Sequence, residues 1–149
     1  MLSRRAVMLG LPLAAAGCGG QAVWAPDDAV ARVRHVAPGP PSIALYTSLN
    51  NDTLNGAHTG LLITASERVI FDPAGSFRSD AVAERNDVVF GATDAVVAAY
   101  ELFQGSEAYH MVKLTRPVSA AVAEAALRAV QTAGPVGKTQ CTRVTAQVL

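Results

Sequence analysis

The chain has 149 residues, half of them hydrophobic, and its twelve basic and twelve acidic residues give a formal charge of zero. This length and composition are sufficient for one domain with a substantial core, without several disulfides to stabilise it. The balanced charge provides no electrostatic attraction for nucleic acid and no basic membrane-binding surface. We therefore predict one domain and no nucleic-acid partner.

Residues 1–18 have the features of an export signal. Arg4 and Arg5 are followed by the apolar run Ala6–Ala16, which is too short to span a bilayer as a mature helix but is typical of a signal peptide. The arginine pair beside Ser3 resembles a twin-arginine signal. We expect an exported protein.

The signal ends in A-A-G-C at residues 15–18, which resembles a bacterial lipobox. In a lipobox the cysteine, here Cys18, becomes the lipidated first residue of the mature protein and anchors it to a membrane. Gly19 supplies no acidic retention signal, so the periplasmic side of the outer membrane is the favoured location. A plain secretory signal is the alternative.

Residues 19–41 are predicted to be a tether and a short helix. The tether, residues 19–25, is flexible and polar at its start. A helix is then indicated by Pro26, by two acidic residues in the first turn and by valines at three-residue spacing. The proline-rich segment 38–41 ends it. The valines are Val30, Val33 and Val36.

The next segments predict a strand and then a β-hairpin. Ile43–Leu49 has the length and composition of a strand. Thr59–Thr64 and Arg68–Asp72 are short apolar runs joined by Ala65–Glu67, as in a hairpin with a loop of three or four residues. Gly60, within the first run, predicts the close approach of another backbone.

The length of the hairpin loop decides whether His58 and Asp72 meet. Side chains alternate along a strand, so a three-residue loop places these two on one face and a four-residue loop places them on opposite faces. On one face, the Asp72 carboxylate could fix the His58 ring for catalysis. The alternatives are an ordinary loop histidine and a turn residue before Pro73.

The remaining segments predict alternating strands and helices. His110 lies on one predicted strand, and it is either a second candidate base or an ordinary hydrogen-bonded or surface residue. No phosphate-binding loop, metal-ligand cluster or internal repeat is present, and we predict no cofactor and no metal. The segments are an irregular stretch at 75–86, either a short strand or the approach to a helix at 87–91, a helix at 95–104 capped by Thr93 and Asp94, a strand at 109–115 and a helix at 120–132.

Cys141 stands near the start of a final predicted helix within Gly137–Leu149. Unpaired backbone N–H groups and the positive end of the helix dipole favour a thiolate there. A lipid on Cys18 would leave Cys141 as a lone thiol in an oxidising compartment. Cys141 is therefore either a nucleophile or a small, buried hydrophobic residue.

The order of these segments resembles the circularly permuted NlpC-like branch of the papain-like cysteine hydrolases, which includes the lecithin–retinol acyltransferase type. In that branch the histidine strand precedes the cysteine helix. The resemblance covers residues 42–149 and implies an α+β fold, with a small antiparallel sheet packed against helices. It is carried by H-T-G-L-L-I at 58–63, V-I-F-D at 69–72 and Q-C-T-R-V at 140–144.

The resemblance implies that Cys141 is the nucleophile, His58 its general base and Asp72 the residue that orients the imidazole. The implied activity is hydrolysis of amide or ester bonds in the cell envelope, with peptidoglycan and lipid substrates equally compatible. The alternative is an inactive ligand-binding or structural lipoprotein of the same fold. Because the chain ends eight residues after Cys141, a domain truncated at its C-terminal side is a further expectation.

Overall fold

Residues 22–149, described by a computed structural model, form four helices and one six-stranded antiparallel sheet. The strands lie in the order β4-β5-β3-β2-β1-β6. The predicted export signal at 1–18 and lipidation at Cys18 lie outside the described residues. The elements are α1 (Asp27–Val33), β1 (Ser42–Asn50), β2 (Gly56–Thr64), β3 (Arg68–Phe71), β4 (Ala83–Arg85), β5 (Val88–Phe90), α2 (Asp94–Gln104), β6 (Tyr109–Pro117), α3 (Ala120–Thr132) and α4 (Cys141–Val148).

The predicted hairpin is formed by β2 and β3. Thr64 pairs with Arg68 and Leu61 with Phe71, so the connecting loop contains the three residues Ala65–Glu67. This register is the alternative that places positions of equal parity on one face of the hairpin. The end of β3 pairs with the middle of β2, so the residues that follow β3 lie beside the first half of β2.

Helices cover both faces of the sheet, which explains why the central strands are apolar without alternation. Leu61 and Ile63 of β2 pack on the side of α1, α3 and α4, whereas Leu62 packs on the side of α2. The sheet is therefore the middle layer, with α1, α3 and α4 on one face and α2 on the other. The α+β class, with an antiparallel sheet packed against helices, is confirmed.

Two local predictions are corrected. The first helix ends at Val33, so Val36 lies beyond it and is largely exposed. The stretch 75–86, predicted to be irregular, contains the short strand β4, which pairs with β5. The three residues of β4 have low β-propensity, so the sequence does not predict a strand at this position. Pairing with β5 stabilises their extended conformation.

Residues 23–25, placed in the tether from the sequence, pack against this added strand. The N–H of Asn86 donates to the carbonyl of Val23, and the N–H of Ala25 donates to the carbonyl of Glu84. The Arg85 guanidinium lies over the Trp24 ring, 4.8 Å from its centre. These contacts join this part of the segment to the sheet.

Candidate active site

His58 and Asp72 lie at one end of the β2–β3 hairpin and are in direct contact. The distance from His58 Nε2 to Asp72 Oδ1 is 2.7 Å. The Asp72 side chain is 1% exposed and that of His58 is 19% exposed. The hairpin register thus brings together the two residues that the sequence proposed as base and orienting carboxylate. With Nε2 bound to Asp72, Nδ1 is the ring nitrogen left to face a substrate or nucleophile.

The Asp72 carboxylate accepts four further hydrogen bonds. Oδ1 accepts from the Tyr100 hydroxyl and from Nε2 of Gln104, each at 3.1 Å. Oδ2 accepts from the backbone N–H groups of Ser76 and Phe77, at 3.1 and 3.2 Å. A buried carboxylate is stable when its oxygens are bonded in this way. The arrangement holds the oxygen that faces His58 in a fixed position.

Gly60 makes room for the Tyr100 hydroxyl. A Cβ atom at this position would lie 2.5 Å from the hydroxyl oxygen and 2.9 Å from the carbonyl oxygen of Phe71. The prediction of close approach by another backbone is therefore fulfilled by Phe71, and the nearer neighbour is a side chain. The glycine lets α2 approach the hairpin closely enough for Tyr100 to reach Asp72.

Burial and hydrogen bonding oppose each other in setting the charges of this pair. Burial alone would raise the pKa of Asp72, but His58 and the N–H groups of Phe77 and Ser76 lower it below its ordinary value. Burial would likewise lower the pKa of His58, but Asp72, and after it Cys141, raise it above its ordinary value. These shifts favour an imidazolium beside a carboxylate.

Cys141 is the first residue of α4, which is packed against β2 by residues from its inner face. Val144 and Val148 pack against the buried residues on the face of the sheet that carries Leu61 and Ile63. Thr145 is buried, and its hydroxyl accepts a hydrogen bond from that of Thr59 in β2, at 3.3 Å. Since Thr59 follows His58 directly, this contact aligns the beginning of α4 with the histidine strand.

The pKa of the Cys141 thiol is lowered from its ordinary value of 9.0. Partial burial acts to raise it, but the backbone N–H of Thr59, the charge of His58 and the Thr142 hydroxyl together have the greater effect. The Thr142 oxygen lies 3.9 Å from Cys141 Sγ. Cys141 in turn raises the pKa of His58, so each of the two side chains favours the charged form of the other.

The start of α4 also provides donors for a developing negative charge. The first helical hydrogen bond runs from the N–H of Val144 to the carbonyl of Gln140, so the preceding N–H groups have no acceptor within the helix. Gln140 forms no side-chain cap, and the first turn contains no acidic residue. Backbone N–H groups beside a nucleophile can stabilise an oxyanion.

His110, the second candidate base, belongs to a different part of the structure. It lies on the edge strand β6, and its Nδ1 is 2.6 Å from Oδ1 of Asn51. The Asn51 side chain also donates to the carbonyl of Glu107, so the histidine belongs to an exposed turn cluster. The surface alternative for His110 is confirmed.

Tyr100 and Gln104 are the site residues that the sequence did not identify. Tyr100 belongs to the apolar stripe of α2, and its ring packs edge-on against those of Tyr46 and Phe77. Such a pattern predicts core packing and gives no sign of a hydroxyl that bonds a carboxylate. Gln104 ends the same helix one turn later, so both reach Asp72 from one face.

Within residues 22–149, no cluster of three or more histidine, cysteine, aspartate or glutamate side chains is arranged to bind a metal ion. The same residues contain no helix that is both long enough and apolar enough to cross a membrane. Comparison with protein-family models, characterised proteins and solved structures finds no match.

Proposed function

We propose that this protein is a cysteine hydrolase that cleaves amide or ester bonds. The observation that carries the proposal is the contact of His58 with the buried Asp72, beside a cysteine at a helix start whose pKa is lowered. A nucleophile, a base and a group that orients the base form the usual set for covalent acyl transfer. The order of His58, Asp72 and Cys141 supports a circularly permuted papain-like arrangement, which is part of the same proposal.

The reaction begins when Nδ1 of His58 takes the proton of the Cys141 thiol. Sγ then forms a bond to the substrate carbonyl carbon, and the oxyanion accepts hydrogen bonds from N–H groups at the start of α4. When the bond to the leaving group breaks, His58 returns the proton to the departing amine or alcohol. Water attacks the thioester with His58 as base, which releases the acid and restores the thiol.

We also propose that the protein acts in the cell envelope, held to the membrane through lipid on Cys18. The arginine pair, the apolar run and the A-A-G-C segment of residues 1–18 support this location. Either peptidoglycan or lipid would then supply the amide or ester bond. Electrophoretic mobility and mass of the protein purified from membranes would show a diacylglycerol adduct on Cys18, whereas a free N-terminus elsewhere would contradict lipidation.

Trapping an acyl-enzyme tests the hydrolase directly. After brief exposure to an activated ester such as p-nitrophenyl acetate, peptide mass mapping should find one acetyl group on Cys141, and the mapping separates it from Cys18. The adduct should form more slowly in His58→Gln and at the original rate in His110→Gln, which removes the exposed histidine. Acetylation of other residues only, or equal rates in all three proteins, would contradict the proposal.

The alternative proposal is an inactive ligand-binding or structural envelope protein of the same fold. It is favoured by the partial burial of Cys141, which acts against ionisation of the thiol. Such a protein would carry the same contacts around Asp72 for stability alone. It would give no acyl-enzyme in the experiment above.

A further inference from the structure

Asp87 is buried directly before β5, beside the segment that follows β3. Its carbonyl accepts the backbone N–H of Asp72 at 2.8 Å, which extends the pairing of β3 with β5 by one residue. Burial raises the pKa of Asp87, and a hydrogen bond from the N–H group of Ala74 is among the contacts that act to lower it. Asp87 therefore holds the Asp72 segment through both its backbone and its side chain.

The same carboxylate holds the connection between α3 and α4. Its Oδ2 accepts the backbone N–H of Val136 at 2.6 Å, and Val136 itself is buried in the core. Among the described residues, this is the one hydrogen bond that joins the connection, residues 133–140, to a part of the protein other than the two helices that it links. The position of the chain just before Cys141 therefore depends on Asp87.

Two residues close to these bonds have a left-handed backbone, although neither is a glycine. The φ angle is 73° at Ala74 and 77° at Thr139, which lies in the connection just before the start of α4. A Cβ atom makes this conformation costly, so it persists only where neighbouring contacts hold the backbone. The bonds of Asp87 to Ala74 and Val136 supply such contacts on both segments.

We propose that Asp87 is a positioning residue of the active site, which ties the segment that orients His58 to the connection that leads to Cys141. The inference rests on the proposed hydrolase function and adds a residue to that site. Without the carboxylate, the start of α4 is free to shift, and Cys141 moves relative to His58. A thiolate and an imidazolium stabilise each other only at short range, so such a shift weakens the pair.

Asp87→Asn tests this role because the amide keeps the size of the side chain but has one acceptor oxygen fewer. Its NH₂ group cannot accept a hydrogen bond, so one of the two N–H donors loses its partner. Alkylation of Cys141 by iodoacetamide near neutral pH should become about threefold slower or more, with a raised apparent pKa of the thiol. Asp87→Glu keeps the charge but moves the carboxylate by one methylene group, and it should change the thiol in the same direction.

The dependence of the thiol on His58 separates positioning from general stability. The apparent pKa of Cys141 is measured in wild type and His58→Gln, and again in Asp87→Asn and the double variant. The increase that His58→Gln causes should be smaller when Asp87 is replaced. A residue that only stabilised the fold would lower the free energy of unfolding and leave this increase unchanged.

Glu124→Gln is the matched control. The Glu124 carboxylate also accepts a backbone N–H at 2.6 Å, that of Ser66, but this contact lies at the loop end of the hairpin, away from His58. The substitution should leave the thiol profile unchanged.

Hydrogen exchange in the wild type provides a measurement that does not depend on the folding of a variant. The amide hydrogen of Val136 should exchange far more slowly than that of Lys138, an exposed residue of the same connection. Equal exchange at the two positions would show that Asp87 does not hold the connection.

An unchanged thiol profile in folded Asp87→Asn, an undiminished effect of His58→Gln in that background, or an equal change in Glu124→Gln would also overturn the proposal. Failure of the hydrolase function has a different signature. In that case the wild type would give no acyl-enzyme, while substitution of Asp87 would still change the thiol profile.

Discussion

His58 Nε2 lies 2.7 Å from Asp72 Oδ1, although fourteen positions separate the two residues in the sequence. The three-residue loop of the hairpin makes this contact possible, since one more loop residue would turn Asp72 to the opposite face. The contact fixes which ring nitrogen is free. It also makes the ionisation of His58, and through it that of Cys141, depend on a carboxylate that is almost fully buried.

Asp72→Asn should raise the pKa of the Cys141 thiol and slow acylation. The neutral amide no longer stabilises the imidazolium, so less thiolate forms, and the amide NH₂ must face at least one of the five donors that now bond the carboxylate. We expect a loss of about 1–3 kcal/mol in the free energy of unfolding. Urea unfolding and the pH profile of thiol alkylation measure the two effects.

Asp52→Asn is the control for this change because Asp52 lies in an exposed turn. It should leave both stability and the thiol profile unaltered. A wild-type thiol profile in Asp72→Asn would remove Asp72 from its proposed role.

Tyr100→Phe should lower the apparent pKa of Cys141. The hydroxyl now withdraws negative charge from Asp72 Oδ1, and its loss leaves more of that charge to stabilise the imidazolium of His58. A residue that only supported the fold would give the reverse shift, because disorder of Asp72 would weaken the imidazolium. The alkylation profile distinguishes the two directions.

Tyr46→Phe is the matched control. The Tyr46 hydroxyl donates to Glu101 at 2.7 Å and its ring packs against Tyr100, but it has no hydrogen bond to Asp72. We expect it to reduce stability without moving the thiol profile. A shift of the same size in both variants would show that loss of packing is the cause.

Gly60→Ala should destabilise the protein by about 1–3 kcal/mol because its methyl group cannot fit between Tyr100 and Phe71. Gly56→Ala, in the same strand, has no atom within 4 Å of the added methyl group and should have little effect. Thermal or urea unfolding of the two variants checks the difference. Equal stability of both would mean that Tyr100 does not occupy this position.

The sequence contained the information for the hairpin contact but not for its surroundings. His58 lies in β2 and Asp72 directly follows β3, and a short loop joins these two strands, so alternation and loop length alone limit their geometry. Tyr100 reaches Asp72 across the sheet layer from α2, and nothing local in an apolar helical stripe distinguishes a core tyrosine from one that bonds a carboxylate. Phe103 belongs to the same stripe and is 50% exposed, which shows how little the stripe alone decides.

The stability due to the His58–Asp72 pair should be greatest at about pH 5. The lowered pKa of Asp72 gives a contribution that is complete above its ordinary value of 3.8 and is lost as pH falls through the folded-state value. The raised pKa of His58 gives one that is complete below 6.5 and is lost as pH rises through the folded-state value. Both are therefore complete between these two ordinary values.

The free energy of unfolding of wild type minus that of Asp72→Asn, measured by urea at several pH values, isolates this pair. It should be largest in the interval given above and decrease on either side. A difference that does not change with pH would indicate that the contact stabilises the fold without a charge on either residue.

The rate of alkylation of Cys141 by iodoacetamide as a function of pH tests the central claim, that Cys141 and His58 form an ionised pair. Mass mapping of the labelled peptide separates Cys141 from Cys18. In the wild type the rate should rise with an apparent pKa clearly below 9.0, and in His58→Gln the pKa should return towards that ordinary value. A wild-type apparent pKa at or above 9.0, unchanged in His58→Gln, would contradict the account.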